Sequence, residues 1–473
     1  MAMLFWKGQE MRLKKQGASK WRANGLLLLI LWIAINLIFA PDQIISFLLL
    51  GCFVCAFVLK IPAGIASILT LYFIIPSDTV NYLFVASPVG KFPLYIVLFV
   101  IFIVIGAFSS DRLKRTIDRR EFAIYAGLMM IVICQIICLL AFSENEILSN
   151  TVKFAFQTIG MLLLIKVNRI DERTVYRICI FIVCLAFVSI VEGGFEIFAG
   201  FNLYSIYGQG ELSDWLEWMS VSGTSLWRTK STFANPLIYS SAMVLSLTCV
   251  EYIRLYVKNT FIPIVLISVL AIGMLMGGSR SSIVILGVYL IYYVKNSNVN
   301  QKLLFIIGIF IAGIIICRYL DLSLILERFS EYNADNSMEH RFSAYGVFFE
   351  IFGKYFLFGC GLGNTYTILQ KHISGNFSTN TFDNAFMDFG LGVGIIGMLA
   401  MIIIFKNVAD ICKDKECRLV KTAGMLAFAL SFFLNITKYQ SLWGVLWLFI
   451  ALNMYMVPDE CGEEVEYYER SKR

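Results

Sequence analysis

The stretch PLYIVLFVIFIVIGAFS, residues 93–109, indicates the fold class of this chain. It carries no charged residue, and it is apolar throughout except at Pro93, Gly106 and Ser109. A helix that crosses the hydrocarbon core of a bilayer needs about 20 mainly apolar residues, within a range of roughly 17 to 25. The stretch therefore predicts a membrane-spanning helix, and similar runs recur along the whole chain.

The composition agrees with a membrane protein. Of the 473 residues, 59% are hydrophobic and 15% are charged, and the mean hydropathy is +0.75. Soluble domains average roughly 25% charged residues. A Rossmann enzyme and a disulfide-stapled secreted domain are therefore excluded, and a formal charge of +6 is too small for a nucleic-acid binder. Most of the 12 cysteines lie in apolar runs, where a thiol behaves as a small hydrophobe.

Cutting the sequence at charges, prolines and polar clusters yields about fourteen apolar spans. We therefore predict an all-α polytopic integral membrane protein that forms a single transmembrane domain over residues 1–473. The predicted spans are 24–40, 43–59, 61–76, 93–109, 122–142, 152–167, 178–200, 234–252, 260–277, 281–294, 303–319, 384–405, 422–436 and 440–457.

Basic residues in short loops predict the orientation, because such loops resist translocation. With fourteen spans, every strongly basic short loop falls on one side, which predicts that both termini are cytoplasmic. The segments 201–233 and 320–383 then become extracytoplasmic loops, and the larger one is expected to contain short amphipathic helices. A transport pathway would require ionisable residues within the spans, and this chain has few of them. We therefore expect function where the outward loops meet the helix ends.

The first candidate motif is a basic segment directly before a span, Arg228-Thr229-Lys230-Ser231-Thr232-Phe233-Ala234-Asn235-Pro236. Pro236 suits the first turn of that helix and Asn235 suits its cap, so Arg228 and Lys230 should lie on the loop just outside the membrane. One interpretation is a basic anchor that reaches lipid head groups. Because outward loops disfavour basic residues, we favour a functional role.

The second motif, Gly277-Gly278-Ser279-Arg280-Ser281-Ser282, joins two strongly apolar runs. The glycines permit a tight turn, and Ser281 or Ser282 can cap the following helix. An arginine between two helix ends at the outer face is costly unless an anion or a carboxylate meets it. The bidentate guanidinium of Arg280 suits a phosphate. The alternative is a structural pairing with a carboxylate of the protein.

The third motif begins at Glu339-His340-Arg341-Phe342-Ser343-Ala344-Tyr345 and ends in a glycine-rich turn, Gly359-Cys360-Gly361-Leu362-Gly363. Aromatic residues at helical spacing predict an amphipathic helix over 339–353 that lies on the outer surface, with Arg341 on or beside its apolar stripe. A lone histidine such as His340 is more often a surface residue than a catalyst.

The fourth motif, Thr381-Phe382-Asp383-Asn384-Ala385-Phe386-Met387-Asp388-Phe389-Gly390, enters the twelfth span. Asp383 suits a helix N-cap. The string Gly392-Val393-Gly394-Ile395-Ile396-Gly397 matches a dinucleotide fingerprint only in its letters, because no strand precedes it. Close packing between helices, with Gly390 and Gly394 at small-xxx-small spacing, is the better interpretation. With only two histidines and no carboxylate cluster at ligand spacing, the sequence predicts no metal site.

Taken in this order, the four motifs resemble the superfamily of O-antigen polymerases and O-antigen ligases, which are glycosyltransferases of the bacterial envelope. The resemblance covers roughly residues 220–405. Where the ligase branch has histidine before the helix-opening asparagine, this chain has Asp383, which favours the polymerase branch. The matching residues are Arg228, Thr232, Phe233, Asn235, Pro236, Gly278, Ser279, Arg280, Arg341, Tyr345, Gly359, Gly361, Gly363 and Asn384.

The resemblance implies a multi-pass protein of the bacterial inner membrane that polymerises oligosaccharide repeat units carried on undecaprenyl diphosphate, at the periplasmic face, to build O-antigen or a capsule-type polysaccharide. It implies neither a metal nor another cofactor, and it implies membrane lipids and a chain-length regulator protein as partners. The departing lipid diphosphate requires cationic stabilisation. Candidates for that clamp are Arg228, Lys230, Arg280 and Arg341.

The same chemistry needs a group that orients or deprotonates the acceptor hydroxyl. Asp383 is the first candidate, followed by Glu339 and His340. Candidate glycan contacts are Tyr345, Asn384 and Trp227, although tryptophans in the 201–233 loop can equally form an interfacial aromatic belt. Two other functions stay open. A ligase would transfer the glycan to a lipid A core, and a lipid-linked glycan flippase would carry no chemistry.

Overall fold

The computed structural model describes residues 23–38, 43–74, 84–87, 90–109, 117–168, 170–199, 228–233, 235–257, 259, 261–297, 344–372, 382, 384–414 and 418–457. The helices are α1 (Ala23–Ile38), α2 (Gln43–Val58), α3 (Ala63–Ile74), α4 (Leu94–Ser109), α5 (Arg119–Phe142), α6 (Asn145–Ala155), α7 (Met161–Asn168), α8 (Glu172–Ala199), α9 (Pro236–Tyr256), α10 (Phe261–Met276), α11 (Arg280–Lys295), α12 (344–354), α13 (Thr365–His372), α14 (Ala385–Asp414), α15 (Arg418–Ser431) and α16 (Gln440–Tyr455). A π-helical turn, Phe156–Gly160, makes α6 and α7 continuous, and a 3₁₀ turn, Ile436–Lys438, precedes α16.

The architecture is that of an α-helical membrane protein. Five helices in the described part of the chain are long and apolar enough to cross a membrane, and seven further apolar helices have 10–17 residues. The span predicted at 303–319 lies outside the described residues. The other predicted spans each overlap a helix, and the five long helices are Arg119–Phe142, Asn145–Asn168, Glu172–Ala199, Pro236–Tyr256 and Ala385–Lys413.

One short hairpin departs from the all-α prediction. Strand β1 (Phe84–Ser87) pairs antiparallel with β2 (Gly90–Pro93), with Phe84 opposite Pro93 and Ser87 opposite Gly90. Aromatic and β-branched residues such as Phe84 and Val85 favour extended backbone. The two strands have only four residues each and lie between long apolar runs, so the sequence pattern did not predict them.

Helix α9 forms the centre of the bundle. Nearly every residue from Pro236 to Ile253 is buried, and α9 packs against α8, α10 and α15. The outer helices expose apolar side chains instead, such as Leu37, Phe47 and Leu140. A soluble protein would bury such a surface, whereas lipid tails solvate it, so the pattern of exposure agrees with a bilayer environment.

Polar contacts tie the helices together at one end of the bundle, which we call the basic end. There Lys166 at the end of α7 forms an ion pair with Glu121 at the start of α5, and Tyr455 at the end of α16 donates to the same carboxylate over 2.8 Å. Arg254 forms an ion pair with Glu251 over 3.0 Å and donates to Ser297. The opposite end, where α8 ends and α9 and α14 begin, is called the loop end.

Candidate functional site

The loop of the first motif is held on two buried glutamates at the loop end. Glu196 Oε2 accepts hydrogen bonds from Thr229 Oγ1 at 2.6 Å, from Lys230 N at 3.2 Å and from Ser231 N at 2.9 Å. Ser231 Oγ donates to Glu192 Oε2 over 2.8 Å. The two glutamates are only 6% and 2% exposed, on the last turns of α8. Their contacts hold Ser231 at a φ of 49°, a conformation that non-glycine residues seldom adopt.

The same loop is joined to the second motif. Thr229 N donates to Met276 O over 3.2 Å, and the turn after Met276 leads through Gly278, at a φ of 58°, into α11. Arg280 is the first residue of α11, so its backbone lies four residues beyond this hydrogen bond. Two segments about fifty residues apart in sequence, each carrying a candidate phosphate-binding arginine, therefore meet at the loop end.

The helix caps at this end partly differ from the sequence predictions. Asn235 caps α9 by accepting from Ile238 N over 3.0 Å, and Pro236 is the first helical residue, as predicted. In the second motif, Ser279 is the cap, not Ser281 or Ser282, because its Oγ accepts from Ser282 N over 3.3 Å. The turn places Ser279 at extended φ and ψ, as a cap requires, while Ser281 is already helical.

The third and fourth motifs pair with each other through their backbones. Helix α14 is broken at Gly394, where φ is 65° and ψ is −172°. On the N-terminal side of the break, Cys360 N donates to Leu391 O over 2.9 Å and Gly361 N donates to Gly392 O over 3.0 Å. On its C-terminal side, Ile395 N donates to Phe356 O over 2.8 Å. The glycine-rich turn thus satisfies backbone groups that the break removes from the helix, as apolar surroundings require.

Gln135 on α5 stabilises the pairing of the glycine-rich turn with α14 through two side-chain hydrogen bonds. Its Nε2 donates to Gly392 O over 3.2 Å, and its Oε1 accepts from Leu362 N over 2.6 Å. The side chain is 1% exposed in a helix that is otherwise strongly apolar. The interpretation of Gly394 as a residue of regular helix packing is therefore wrong, since Gly394 interrupts the helix and a Cβ atom there would lie closest to Gly359 and Leu357 of the turn.

The first turn of α14 carries a fixed carboxylate. Asn384 caps the helix, because its Oδ1 accepts from Phe386 N at 2.9 Å and from Met387 N at 3.2 Å. Asp383, the cap suggested by the sequence, lies outside the described residues. One turn further, Asp388 Oδ1 accepts from Thr365 Oγ1 and Oδ2 accepts from Asn435 Nδ2, both over 2.6 Å. The start of α14 is thereby bound to α13 and to the turn before α16.

Helix α12 carries apolar side chains on two faces. Phe348 and Ile351 are buried in a small core with Cys360 and Leu391, whereas Tyr345 is 42% exposed and Phe349 is 68% exposed. The predicted single stripe is therefore split. Burial, together with the charge of nearby Asp388, raises the pKa of the Cys360 thiol above its ordinary value, so this cysteine stays protonated at neutral pH and is a poor nucleophile.

The structure describes only some of the candidate residues from the sequence. Arg228 and Lys230 are half-buried on the loop that Glu196 holds, Tyr345 is exposed on α12, and Asn384 is a buried cap. The backbone of Arg280 is described but its side chain is not. The candidates outside the described residues are Trp227, Glu339, His340, Arg341 and Asp383.

Four polar residues of this end were not candidates in the sequence analysis: Gln135, Glu192, Glu196 and Asp388. Each interrupts a long apolar run, which is the signal that could have found them, because a polar side chain in such a run needs a partner. Glu192 and Glu196 also follow i, i+4 spacing, which places both on one face of α8. Within the part of the chain that is described, no group of three His, Cys, Asp or Glu side chains could hold a metal ion.

We expect Glu196→Ala to destabilise the protein by about 3 kcal/mol, because two buried donors and one part-buried donor of the 229–231 loop lose a charged acceptor. Glu196→Gln retains one acceptor oxygen and should lose less. Thermal unfolding of the detergent-purified protein measures both, and Glu146→Ala, on the exposed face of α6, is the matched control. Equal stability of Glu196→Ala and the control would show that the loop does not depend on this carboxylate.

No protein-family model and no curated protein matches this chain. The site therefore has to be interpreted from its own chemistry. The loop end combines two arginine-bearing segments joined by a backbone hydrogen bond, a carboxylate held by two neutral donors, and aromatic residues on α12. Cationic groups can bind an anion such as a phosphate, and a fixed carboxylate can accept a proton or orient a hydroxyl.

Proposed function

We propose that this protein is a membrane glycosyltransferase that polymerises oligosaccharide repeat units carried on undecaprenyl diphosphate into O-antigen or a capsule-type polysaccharide. The reaction takes place at the periplasmic face of the bacterial inner membrane. Its substrate is the lipid-linked oligosaccharide, it uses no metal or other cofactor, and a chain-length regulator protein is its expected partner. The motif resemblance over residues 220–405 is one support for this proposal.

The observation that carries the proposal is the junction of the first two motifs. Thr229 N donates to Met276 O, so the segment with Arg228 and Lys230 is attached to the turn that precedes Arg280. Buried Glu196 holds that segment rigid through three hydrogen bonds. A lipid diphosphate is a leaving group whose charge grows in the transition state, and preorganised cations stabilise such charge without reorganisation.

In the proposed reaction, an acceptor hydroxyl displaces the lipid diphosphate from the anomeric carbon of the donor sugar. Arg228, Lys230, Arg280 and Arg341 bind the diphosphate, with Arg280 as its bidentate ligand. Tyr345, Asn384 and Trp227 contact the glycan. A carboxylate receives the proton of the acceptor hydroxyl, and Asp383 is the candidate from the sequence, with Glu339 and His340 behind it.

Polymerisation by the purified protein is the decisive test. The protein is reconstituted with undecaprenyl-diphosphate-linked repeat units, and the products are resolved as a ladder. A polymerase yields lengthening glycans on the lipid. Transfer that occurs only when lipid A core is added identifies a ligase, and movement of substrate across proteoliposome membranes without a new glycosidic bond identifies a flippase. Either of the last two results would replace the proposal.

The proposal includes fourteen spans, cytoplasmic termini, and extracytoplasmic segments at 201–233 and 320–383. Cysteine introduced at Ser213 or Ser374 should then react with a membrane-impermeant thiol reagent in intact cells whose outer membrane has been made permeable. Cysteine at Ser19, near the N-terminus, is the matched control and should react only after the cells are broken. If positions 213 and 374 behave like position 19, these segments lie on the same side of the membrane as the N-terminus and the proposed topology is wrong.

A further inference from the structure

Asp388 occupies a position where three separate segments converge. It lies in the first turn of α14 and accepts hydrogen bonds from Thr365, which begins α13, and from Asn435, which precedes the 3₁₀ turn before α16. Thr365 is 6% exposed and Asn435 is 7% exposed, while Asp388 itself is half-buried. The carboxylate is therefore supported by buried donors, and the residue as a whole is partly exposed.

The orientation of this carboxylate is fixed by a chain of hydrogen bonds. Thr437 Oγ1 donates to Asn435 Oδ1 over 2.7 Å, which directs the amide Nδ2 of Asn435 toward Asp388. An amide nitrogen can only donate, so Asp388 Oδ2 is the acceptor in this contact. A group that takes part in proton transfer needs this kind of support, because rate depends on holding it in the productive geometry.

Comparison with the other carboxylates described at the loop end favours Asp388. Glu192 and Glu196 are buried and bind the 229–231 loop. Glu146 and Glu350 are exposed on helix surfaces, and Glu144 is half-buried just before α6 but makes no cap hydrogen bond with its side chain. Within the described part of the chain, no side-chain donor positions these three carboxylates. Asp388 alone among these described carboxylates combines two positioning donors with partial exposure.

We propose that Asp388 is the general base of the glycosyl transfer, an inference that rests on the proposed function. The acceptor hydroxyl oxygen forms a bond to the anomeric carbon of the donor sugar, and the bond from that carbon to the diphosphate oxygen breaks. The bonding electron pair leaves with the lipid diphosphate, and the hydroxyl proton passes to the Asp388 carboxylate. Asn435 and Thr365 are positioning residues that hold the carboxylate in place.

The test uses two variants that separate catalysis from structure. Asp388→Asn should reduce polymerisation by about 10²–10⁴-fold with substrate binding retained, because an amide cannot accept the proton. The introduced amide can keep both contacts, because its oxygen can accept from Asn435 Nδ2 and its nitrogen can donate to Thr365 Oγ1, so stability should change little. The double variant Asp388→Asn/Asn435→Asp moves the carboxylate to the other side of the same hydrogen bond. We expect it to be about as stable as the wild type and to remain inactive, because the carboxylate has moved.

The matched control is Asp410→Asn, near the other end of the same helix, where the carboxylate is half-buried like that of Asp388 and pairs with Lys413. It should polymerise at the wild-type rate. Recovery of turnover in the double variant would make Asp388 a structural residue only, and wild-type turnover in Asp388→Asn would exclude it outright. If Asp383→Asn loses turnover while Asp388→Asn does not, the base is Asp383. A wild-type protein that fails to polymerise refutes the proposed function, and the inference fails with it.

Discussion

Gly394→Ala is expected to destabilise the protein by at least about 3 kcal/mol. The φ of 65° and ψ of −172° at this position belong to a region that is essentially restricted to glycine, and side-chain-bearing residues there cost about 1–3 kcal/mol. A Cβ atom would also lie 2.4 Å from Gly359 N and 2.5 Å from Leu357 O, which are backbone atoms that cannot rotate away. The break in α14 and the glycine-rich turn would have to separate.

The measurement is the yield of folded protein and its thermal unfolding in detergent. Gly424→Ala is the matched control, because Gly424 lies on an exposed face of α15 where a Cβ would meet nothing within 4 Å. In a regular helix this exchange improves helix propensity by up to about 1 kcal/mol. The control should therefore be as stable as the wild type or slightly more stable. Similar stability of the two variants would show that α14 is not broken at Gly394.

Arg280 should tolerate neither alanine nor lysine if it binds the lipid diphosphate. Alanine removes a cation that stabilises the departing charge, and losses of this kind amount to about 10²–10³-fold in turnover. Lysine keeps the charge but lacks the planar fork that binds two phosphate oxygens together, so Arg280→Lys should be nearly as impaired. Arg228 and Lys230 lie on a loop, and Arg228→Lys should lose less activity.

The readout is the length of the glycan ladder formed by equal amounts of purified protein, with binding of lipid-linked substrate measured separately. Arg119→Ala is the control, because Arg119 is exposed at the basic end, away from the site. Full activity of Arg280→Ala at normal protein level would exclude the diphosphate clamp. If Arg280 instead pairs with a carboxylate of the protein, Arg280→Ala would lower thermal stability as well as turnover.

Much of the helical architecture was predictable because it depends on neighbouring residues. An apolar run of sufficient length forms a helix in a bilayer whatever the rest of the chain does, and Asn235-Pro236 marks the start of α9 from two adjacent letters. The glycine-rich turn was also predictable, and Gly359, Gly361 and Gly363 all have positive φ. Cap positions were less certain, because Asp383 and Asn384 are both good capping residues and only the geometry of the turn selects one of them.

The candidate site was predictable only as a set of separate motifs. Arginines beside helix ends are visible in the sequence, but the hydrogen bond between Thr229 and Met276 joins segments that are far apart in the chain. In the sequence, Glu196 is one of two charges in an apolar run, and the structure places three donors on its carboxylate. The partners of a polar side chain in a membrane depend on which helices are adjacent, and no local pattern specifies that.

The order of the amino acids alone predicts a helical membrane protein, the positions of most of its helices, and the motifs that carry charge at helix ends. The packed structure adds that α14 is broken at Gly394, that the Gly359 turn and Gln135 satisfy its free backbone groups, and that Asp388 is held between Thr365 and Asn435. The two sets of features differ because the interactions behind them act over different ranges. Apolar burial and helix propensity act over a few turns of one helix, whereas a hydrogen bond between distant segments exists only after the helices have packed.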